Sequence, residues 1–419
     1  MQRREFFKTT ALGTSAIAVT GIAGCAPATK KMNEQPDYTS FELREATVAE
    51  LRRKMESGGI TSEDICQNYL DRIKLLNPVL KAVLEVNPDA IEIARKLDEE
   101  RKNGNVRGPL HGIPIMIKDN IDTGDKMQTT AGSLAFEGNF VDEDAFIIKK
   151  LRESGAVLIG KTNLSEWANF RSTSSSSGWS GRGGQARNPY ILDRSPCGSS
   201  AGTGVAVAAN LCTIGIGTET NGSIVCPSGV NGIVGIKPTL GMWSRRGIVP
   251  IAHSQDTAGP MARTVTDAAI LLGELATFDA EDAETHLGKG EIHSDYIQFL
   301  KKDGLAGKRI GIASQLIGFN SKVDTVFEKA VEAMRNQGAE IIEKVEFEHN
   351  KKWGSPSYEV LLYEFKADLN KYIMEHPKIE ARKLQDIIEY NKRNADREMP
   401  WFDQEIFEMA TEKGDLTSE

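Results

Sequence analysis

Three short stretches of this chain place a reactive side chain where the neighbouring residues predict burial. Lys118 follows the apolar run IPIMI, Ser199 and Ser200 precede the small-residue run AGTGVAVAANL, and Ser223 ends the turn TNGS. A lysine removed from water prefers its neutral form more strongly and can then act as a general base. A serine beside such a base can act as a nucleophile. Taken singly, each feature is more common as a structural lysine, a helix cap or a plain turn.

The turn at residues 220–223 adds a second kind of chemistry. Its consecutive backbone N–H groups can form a concave donor site that holds a developing negative charge. The apolar runs CTIGIGT and GIVGIKP stand on either side of it. We therefore predict that the turn lies between two buried strands, with a plain turn as the alternative.

The order of these stretches resembles the amidase signature family. CGSSAGTG, GTETNGSIVCPS and GIKPTLG follow one another as the Gly/Ser-rich motifs of that family do, and HGIPIMIKDNI stands upstream. The landmark SQDTAGPMARTVTDAA follows them, and several motifs in the right order are far more specific than one. The resemblance implies an α/β amidase-signature fold, with a mixed twisted β-sheet core covered by helices on both faces.

The resemblance also implies catalytic roles for three of these side chains. The family hydrolyses amides with a Ser–Ser–Lys triad, in which Ser223 would be the nucleophile that forms the acyl-enzyme. Ser199 would be the bridging serine, next to a cis peptide bond in the neighbourhood of residues 197–199. Lys118 would be the neutral general base that exchanges protons with Ser223 through Ser199.

Further site residues are implied in the same way. The backbone N–H groups of Thr220, Asn221, Gly222 and Ser223 would form the oxyanion hole, and Ala168 falls where the family lines its substrate site with backbone. The resemblance implies no cofactor and no metal. The expected substrate is a carboxylic amide of a small molecule or a peptide, with a peptide C-terminal amide as one candidate.

Four positions depart from the pattern of the family. Asn221 replaces a glycine, Glu219 an aspartate, Val225 an arginine and Cys197 a glycine. An asparagine tolerates a positive φ better than most residues do. With the stretch SGWSGRGGQARNPY, these features look like a peptide-amidase-like branch rather than the branch that amidates tRNA-bound glutamate.

The N-terminus is interpreted as a targeting segment rather than as part of the fold. Residues 1–24 combine RREFFK with a short apolar stretch and look like a twin-arginine lipoprotein signal peptide. Cys25 would be lipidated, residues 25–42 would form a tether, and residues 43–419 would form the amidase signature domain. The protein is then expected to be exported to the periplasmic side of the cell envelope and anchored to a membrane through Cys25.

Composition narrows the choice of partners and the state of the cysteines. The 419 residues carry a formal net charge of −8, with positive and negative residues mixed along the chain. This charge pattern does not indicate a nucleic-acid-binding surface. Besides Cys25 there are four cysteines: Cys66, Cys197, Cys212 and Cys226. A chain of this size needs no disulfide framework, so we predict free and mostly buried thiols.

Alternating helix and strand patterns predict the α/β class without the resemblance. Helices are predicted at 46–59, 61–78, 89–104, 144–155, 201–211, 264–276 and 322–338 and within 356–413, and strands at 113–117, 156–160, 212–218, 232–238, 308–314 and 339–347. The Ser/Gly-rich segment 171–204 is predicted to be an ordered loop packed over a site.

Two other functions compete with an amidase. Residues 198–202 match the G-x-S-x-G elbow of α/β-hydrolases, with Ser200 as nucleophile and His253 as partner, although the elbow should follow a buried strand. Alternatively, the chain is an inactive, lipid-anchored, amidase-like binding protein. This second alternative rests on the expectation that the domain is C-terminally incomplete, since members of the family usually continue beyond the point that corresponds to Glu419.

Overall fold

The computed structural model describes residues 40–286, 292–346, 352 and 354–418. The predicted signal peptide, Cys25 and most of the predicted tether lie outside the described residues. Within the described ranges, none of the helices is long and apolar enough to cross a membrane.

Helices and strands alternate along most of the described chain. The helices are α1 Val48–Glu56, α2 Ser62–Leu80, α3 Ala90–Lys102, α4 Phe146–Glu153, α5 Ala201–Ala208, α6 Val225–Val230, α7 Val265–Leu275, α8 Ser321–Asn336, α9 Gly354–Glu375, α10 Leu384–Arg393, α11 Ala395–Glu398 and α12 Glu405–Thr411. The strands are β1 Val83–Val86, β2 Pro114–Lys118, β3 Val157–Thr162, β4 Trp179–Ser180, β5 Gly184–Gln185, β6 Ile214–Glu219, β7 Val234–Gly235, β8 Thr257–Ala262, β9 Arg309–Gly311 and β10 Glu340–Ile342.

A six-stranded mixed sheet in the order β1-β3-β2-β6-β8-β7 forms the centre of the fold. The strands β3, β2 and β6 run parallel, and β1, β8 and β7 pair antiparallel at the two sides. Every residue of β2, β3, β6 and β8 is buried, as expected for strands covered on both faces. The predicted mixed α/β architecture is confirmed. Because β2 lies inside the sheet, Lys118 at its end is held deep in the protein.

The strands β1 and β8 are absent from the sequence prediction. The run TAGPMA of β8 contains a glycine and a proline, which are depleted in strands, so its local signal is weak. The predicted strand at 232–238 shrinks to the two residues of β7. The predicted strands near 308–314 and 339–347 form a separate parallel pair of β9 and β10 outside the main sheet.

The segment 171–204 is ordered, as predicted, but much of it packs against the C-terminal helices. Arg171 is fully buried and its guanidinium stacks on the Phe402 ring at 4.3 Å. The Ser172 hydroxyl donates to the Glu405 carboxylate at 2.9 Å. A second apolar core joins α9, α10 and α12 to aromatic residues of the loops above the sheet, Trp167 among them. The C-terminal helices therefore support the loop that carries Ala168.

Candidate active site

Lys118 lies at the C-terminal end of β2 and has no solvent exposure. Its Nζ is 2.6 Å from Ser199 Oγ, 2.8 Å from Thr218 Oγ1 and 3.2 Å from the Thr218 carbonyl oxygen. Burial lowers the pKa of Lys118 to about 7, and the carboxylates of Asp256 and Glu219 oppose that shift. A substantial fraction of Lys118 is therefore neutral near pH 7 and able to accept a proton.

Ser199 lies in the irregular segment before α5, where it reaches Lys118. The peptide bond between Gly198 and Ser199 is cis, in the neighbourhood that the resemblance indicated. The Ser199 carbonyl accepts from the Ser165 N–H at 3.0 Å, and the residue is fully buried. The structure thus brings Lys118 and Ser199 together from two distant parts of the chain.

Ser200 is occupied by a structural role. Its hydroxyl donates to the Thr218 carbonyl at 3.0 Å and accepts from the Thr218 N–H at 3.2 Å. Residues 186–200 contain no strand, whereas a nucleophile elbow follows one. The His253 Nδ1 atom lies 2.8 Å from Asp368 Oδ2, and within the described residues His253 contacts no serine hydroxyl. The elbow interpretation is therefore not supported.

Ser223 follows β6 in the turn that precedes α6. The Ser200 N–H donates to the Ser223 carbonyl at 3.1 Å, which places Ser223 beside the segment that carries Ser199. Its side chain is buried, and across the described ranges its hydroxyl makes no hydrogen bond. The turn connects β6 to the short helix α6, whereas the sequence predicted that a second strand would follow it directly.

The Glu219 carboxylate fixes this turn by accepting three backbone hydrogen bonds. It accepts from the N–H groups of Gly222, Ile224 and Val225 at 2.8, 2.7 and 3.0 Å. Gly222 has a φ of +87°, a region that favours glycine. The Gly222 N–H that was predicted to line the oxyanion hole is thus taken up by Glu219.

The other three predicted donors remain available. In the described part of the chain, the N–H groups of Thr220, Asn221 and Ser223 donate to no acceptor. Asn221 does not need a positive φ, because the left-handed conformation falls on Gly222 instead. The Asn221 side chain donates to Gln255 Oε1 at 3.3 Å. The replacement of a glycine by Asn221 therefore costs the backbone nothing.

A cleft of about 320 Å³ opens beside the turn. Ala168, with a φ of +53°, lines it together with Thr218 and Thr220. The half-buried Asp256 also lines the cleft, where it accepts from the Thr220 hydroxyl at 2.5 Å and from the N–H groups of residues 251 and 252. Burial raises the pKa of Asp256. The loop before β8 is thereby tied to the turn that carries Ser223.

Thr218 and Asp256 are site residues that the sequence prediction missed. Each stands in a stretch that was quoted for another reason, Thr218 in GTETNGS and Asp256 in SQDTAG. Their roles depend on the pairing of β6 with β8, which sets Thr218 opposite Ala258. An acid just before a strand that pairs with β6, the strand leading into the turn of Ser223, is a signal that only the sheet order makes visible.

The prediction of free thiols is wrong for two of the four cysteines. Cys197 and Cys226 form a disulfide, whereas Cys66 and Cys212 are free and buried as predicted. The prediction rested on the size of the core, which indicates whether a disulfide is needed for overall stability. It says nothing about a bond that joins an irregular segment to a short helix locally.

Comparison with known proteins gives one consistent picture. Residues 64–408 match the family model described as Amidase. The chain is 41% identical to a protein of Schizosaccharomyces pombe named as an amidase, over 85% of this chain and 64% of that protein. It is 43% identical to a protein of Arabidopsis thaliana that carries a similar name, over 88% of this chain and 72% of that protein. The chain thus spans about two thirds of the length of these relatives.

A solved structure is similar at the level of the whole fold. The peptide amidase of Stenotrophomonas maltophilia superposes with a TM-score of 0.86 and 47% sequence identity, covering 90% of this chain and 78% of that one. The similarity extends over most of this chain. It also agrees with the peptide-amidase-like features noted in the sequence.

Proposed function

Because the chain belongs to the amidase family, we propose that it hydrolyses carboxylic amides through an acyl-enzyme formed on Ser223. The observation that carries the proposal is the contact of the buried Lys118 amine with Ser199, beside an uncommitted Ser223 hydroxyl. In the first step Ser223 Oγ attacks the amide carbonyl carbon. Its proton passes to Ser199, whose own proton passes to the neutral Lys118 amine.

The negative charge of the tetrahedral intermediate develops on the former carbonyl oxygen. The N–H groups of Thr220, Asn221 and Ser223 are the donors proposed to hold it, and one such donor is typically worth about 10²–10³ in rate. Gly222 and Glu219 act indirectly, because their hydrogen bond fixes the turn that presents the donors. Collapse of the intermediate breaks the C–N bond.

The remaining steps return the site to its starting state. The proton on Lys118 passes back through Ser199 to the leaving nitrogen, so an amine or ammonia departs. A water molecule then attacks the acyl-enzyme while the same pair accepts its proton. The product is a carboxylic acid, and Ser223 recovers its hydroxyl.

Among amides, a peptide C-terminal amide is our proposed substrate. The support is the 47% identity to a peptide amidase and a cleft whose lining includes the polar residues Asn120, Thr220 and Asp256. Ammonia release from a peptide amide, an aryl amide and a short aliphatic amide measures the preference. We expect the peptide amide to have the highest kcat/KM.

The test of the mechanism combines a serine label with two variants. A fluorophosphonate should label Ser223 in the wild type, and Ser223→Ala should lower kcat by about 10³-fold or more. The matched variant His253→Ala alters a residue of the same cleft outside the proposed triad, and it should keep the label. A label on Ser200, or its loss in His253→Ala, contradicts the assignment. A folded wild type that neither hydrolyses amides nor takes the label would instead be a binding protein.

Export and lipid anchoring form a separate proposal, supported by the N-terminal sequence. A disulfide between Cys197 and Cys226 is in keeping with an oxidising compartment, because such bonds rarely persist in a bacterial cytosol. The double variant Arg3→Lys/Arg4→Lys should retain the protein in the cytosol, and Cys25→Ala should release it from membranes in soluble form. Unchanged membrane association of both variants contradicts the proposal.

A further inference from the structure

The Cys197–Cys226 disulfide joins the two segments that carry the proposed catalytic serines. Cys197 stands two residues before Ser199, and Cys226 stands three residues after Ser223. Their Cα atoms are 6.0 Å apart across a separation of 29 residues. The bond therefore spans the same gap that a proton crosses between Ser223 and Ser199.

Besides the disulfide, a small set of hydrogen bonds connects these segments. The Ser200 hydroxyl donates to the Thr218 carbonyl at 3.0 Å and accepts from the Thr218 N–H at 3.2 Å, five residues before Ser223. The Ser200 N–H donates to the Ser223 carbonyl at 3.1 Å, and Asn231 Nδ2 donates to the Pro196 carbonyl at 2.8 Å. Residues 196–200 belong to no strand, and α6 has only six residues. Among the described residues, no strand pairing joins the two segments directly, and the disulfide is the covalent tie between them.

We propose that the Cys197–Cys226 disulfide is a positioning device, which keeps Ser199 within proton-transfer distance of Ser223 during catalysis. The inference rests on the proposed amide hydrolysis. Proton transfer through a serine requires hydrogen-bond distances at each step, and a displacement of about 1 Å at a reacting group can cost about 10²-fold in rate. Cys197 and Cys226 themselves do not touch the reacting atoms.

The four cysteines differ in a way that makes this bond selectively addressable. Cys197 and Cys226 are half-buried, so a small thiol reagent can reach them. Cys66 and Cys212 are buried, and burial raises the pKa of both thiols, that of Cys212 to about 12. Because the thiolate is the reactive form, these two thiols stay inert. Dithiothreitol reduces the Cys197–Cys226 disulfide to two thiols with two electrons and two protons, and is itself oxidised to its cyclic disulfide.

The experiment measures kcat and KM for a peptide amide before and after reduction by dithiothreitol. Near-UV circular dichroism verifies that the protein stays folded, and iodoacetamide with mass mapping verifies that Cys197 and Cys226 are reduced. We expect kcat to fall about tenfold while KM changes little, since the bond acts on the reacting hydroxyls rather than on the cleft. Re-oxidation should restore kcat. The double variant Cys197→Ala/Cys226→Ala should show the low kcat in both conditions and no response to the reductant.

Each other result overturns the inference. An unchanged kcat in fully reduced, folded protein shows that hydrogen bonds alone hold the two serines in place. A loss of rate that only follows the folded fraction in a urea titration shows a role in stability and none in positioning. An oxidised wild type that hydrolyses no amide contradicts the proposed function itself, and the inference falls with it.

Discussion

Two buried lysines on neighbouring strands present the same burial and different chemistry. Lys118 ends β2, and Lys161 lies in β3, paired with Ile117 across the sheet. Both side chains are fully buried, and in both cases burial is the main cause of a lowered pKa. Burial alone therefore does not distinguish a candidate base from a structural lysine.

The partners of the two amines make the distinction. Lys161 Nζ donates to the Ile121 carbonyl at 2.6 Å and to Thr129 Oγ1 at 3.0 Å. The Thr129 hydroxyl in turn donates to the same Ile121 carbonyl at 3.3 Å, so no proton can be passed on from there. Lys118 instead contacts Ser199, which lies beside the segment of the uncommitted Ser223. A buried lysine becomes a candidate base when it touches a hydroxyl that leads to the substrate.

Replacement of each lysine by methionine gives the largest expected difference. Lys118→Met should lower kcat by about 10³-fold, because Lys118 is the proposed acceptor of the Ser199 proton and, among the described residues, no other ionisable side chain hydrogen-bonds the Ser199 hydroxyl. Lys161→Met should leave the kcat of the folded protein nearly unchanged. It should lower the free energy of unfolding by about 2 kcal/mol, because the buried Thr129 hydroxyl loses its donor and the Ile121 carbonyl keeps only the 3.3 Å bond from Thr129. Steady-state kinetics and urea unfolding measure the two quantities.

The comparison fails if both variants lose kcat equally while folded. In that case burial of a positive group beneath the site, rather than its contact with Ser199, would be what catalysis requires.

The pH dependence of the rate is the next expected effect. The pKa of Lys118 is lowered to about 7, and only the neutral amine can accept a proton. Below about pH 7, kcat/KM should therefore fall about tenfold per pH unit, and above it the rate should level off. Lys161→Met should show the same fall of kcat/KM on the acid side of the pH profile, called the acid limb below. A limb that moves in Lys161→Met would show that Lys161 takes part in the titration.

The two lysines should contribute to the pH dependence of the free energy of unfolding in the same direction. In the folded protein the pKa of each lysine is lowered. Between that lowered pKa and about pH 10.4, the unfolded chain therefore binds a proton that the folded protein lacks. For Lys118 that window begins near its folded pKa of about 7. The wild type should gain stability relative to Lys118→Met as the pH rises through the window, by up to about 1.4 kcal/mol per pH unit. Relative to Lys161→Met the sign should be the same.

Urea unfolding of the three proteins at several pH values measures this effect. A stability difference that stays flat with pH would mean that the replaced lysine keeps its proton in the folded protein.

Lys118, Ser199 and Ser223 could be proposed as site residues from the sequence because each stands in a compact motif at a fixed place along the chain. The central strands β2, β3 and β6 were predictable for a related reason, since continuous apolar runs mark buried strands. Strand β8 was not, because its glycine and proline weaken the local signal.

What remained hidden depends on how distant segments meet. The bond between Cys197 and Cys226 and the contact of Asp256 with Thr220 both follow from the packing of loops at the ends of β6 and β8. The engagement of Gly222 by Glu219 is a matter of turn geometry three residues apart. A residue list cannot distinguish an N–H that is free from one that is already bonded.

Asp256 gives the finest test of what sets Lys118 apart. Its carboxylate is the first of the two charges that favour the protonated form of Lys118. Asp256→Asn removes that charge, so the pKa of Lys118 should fall further and the acid limb of kcat/KM should move to lower pH by a few tenths of a pH unit. The amide can accept from the backbone N–H groups with its oxygen and donate to the Thr220 hydroxyl, so the turn should keep its shape.

The matched variant for this test is Glu281→Gln in the same cleft. Glu281 lines the cleft but its side chain is 70% exposed and pairs with Arg246 at 3.6 Å, so solvent screens its charge from Lys118. Its acid limb should coincide with that of the wild type. Equal shifts in both variants would mean that Lys118 responds to the total charge of the cleft. A shift in Asp256→Asn alone would show that this one half-buried carboxylate adjusts the pKa of Lys118. The pKa of Lys161 is influenced by a different set of acids, which does not include Asp256.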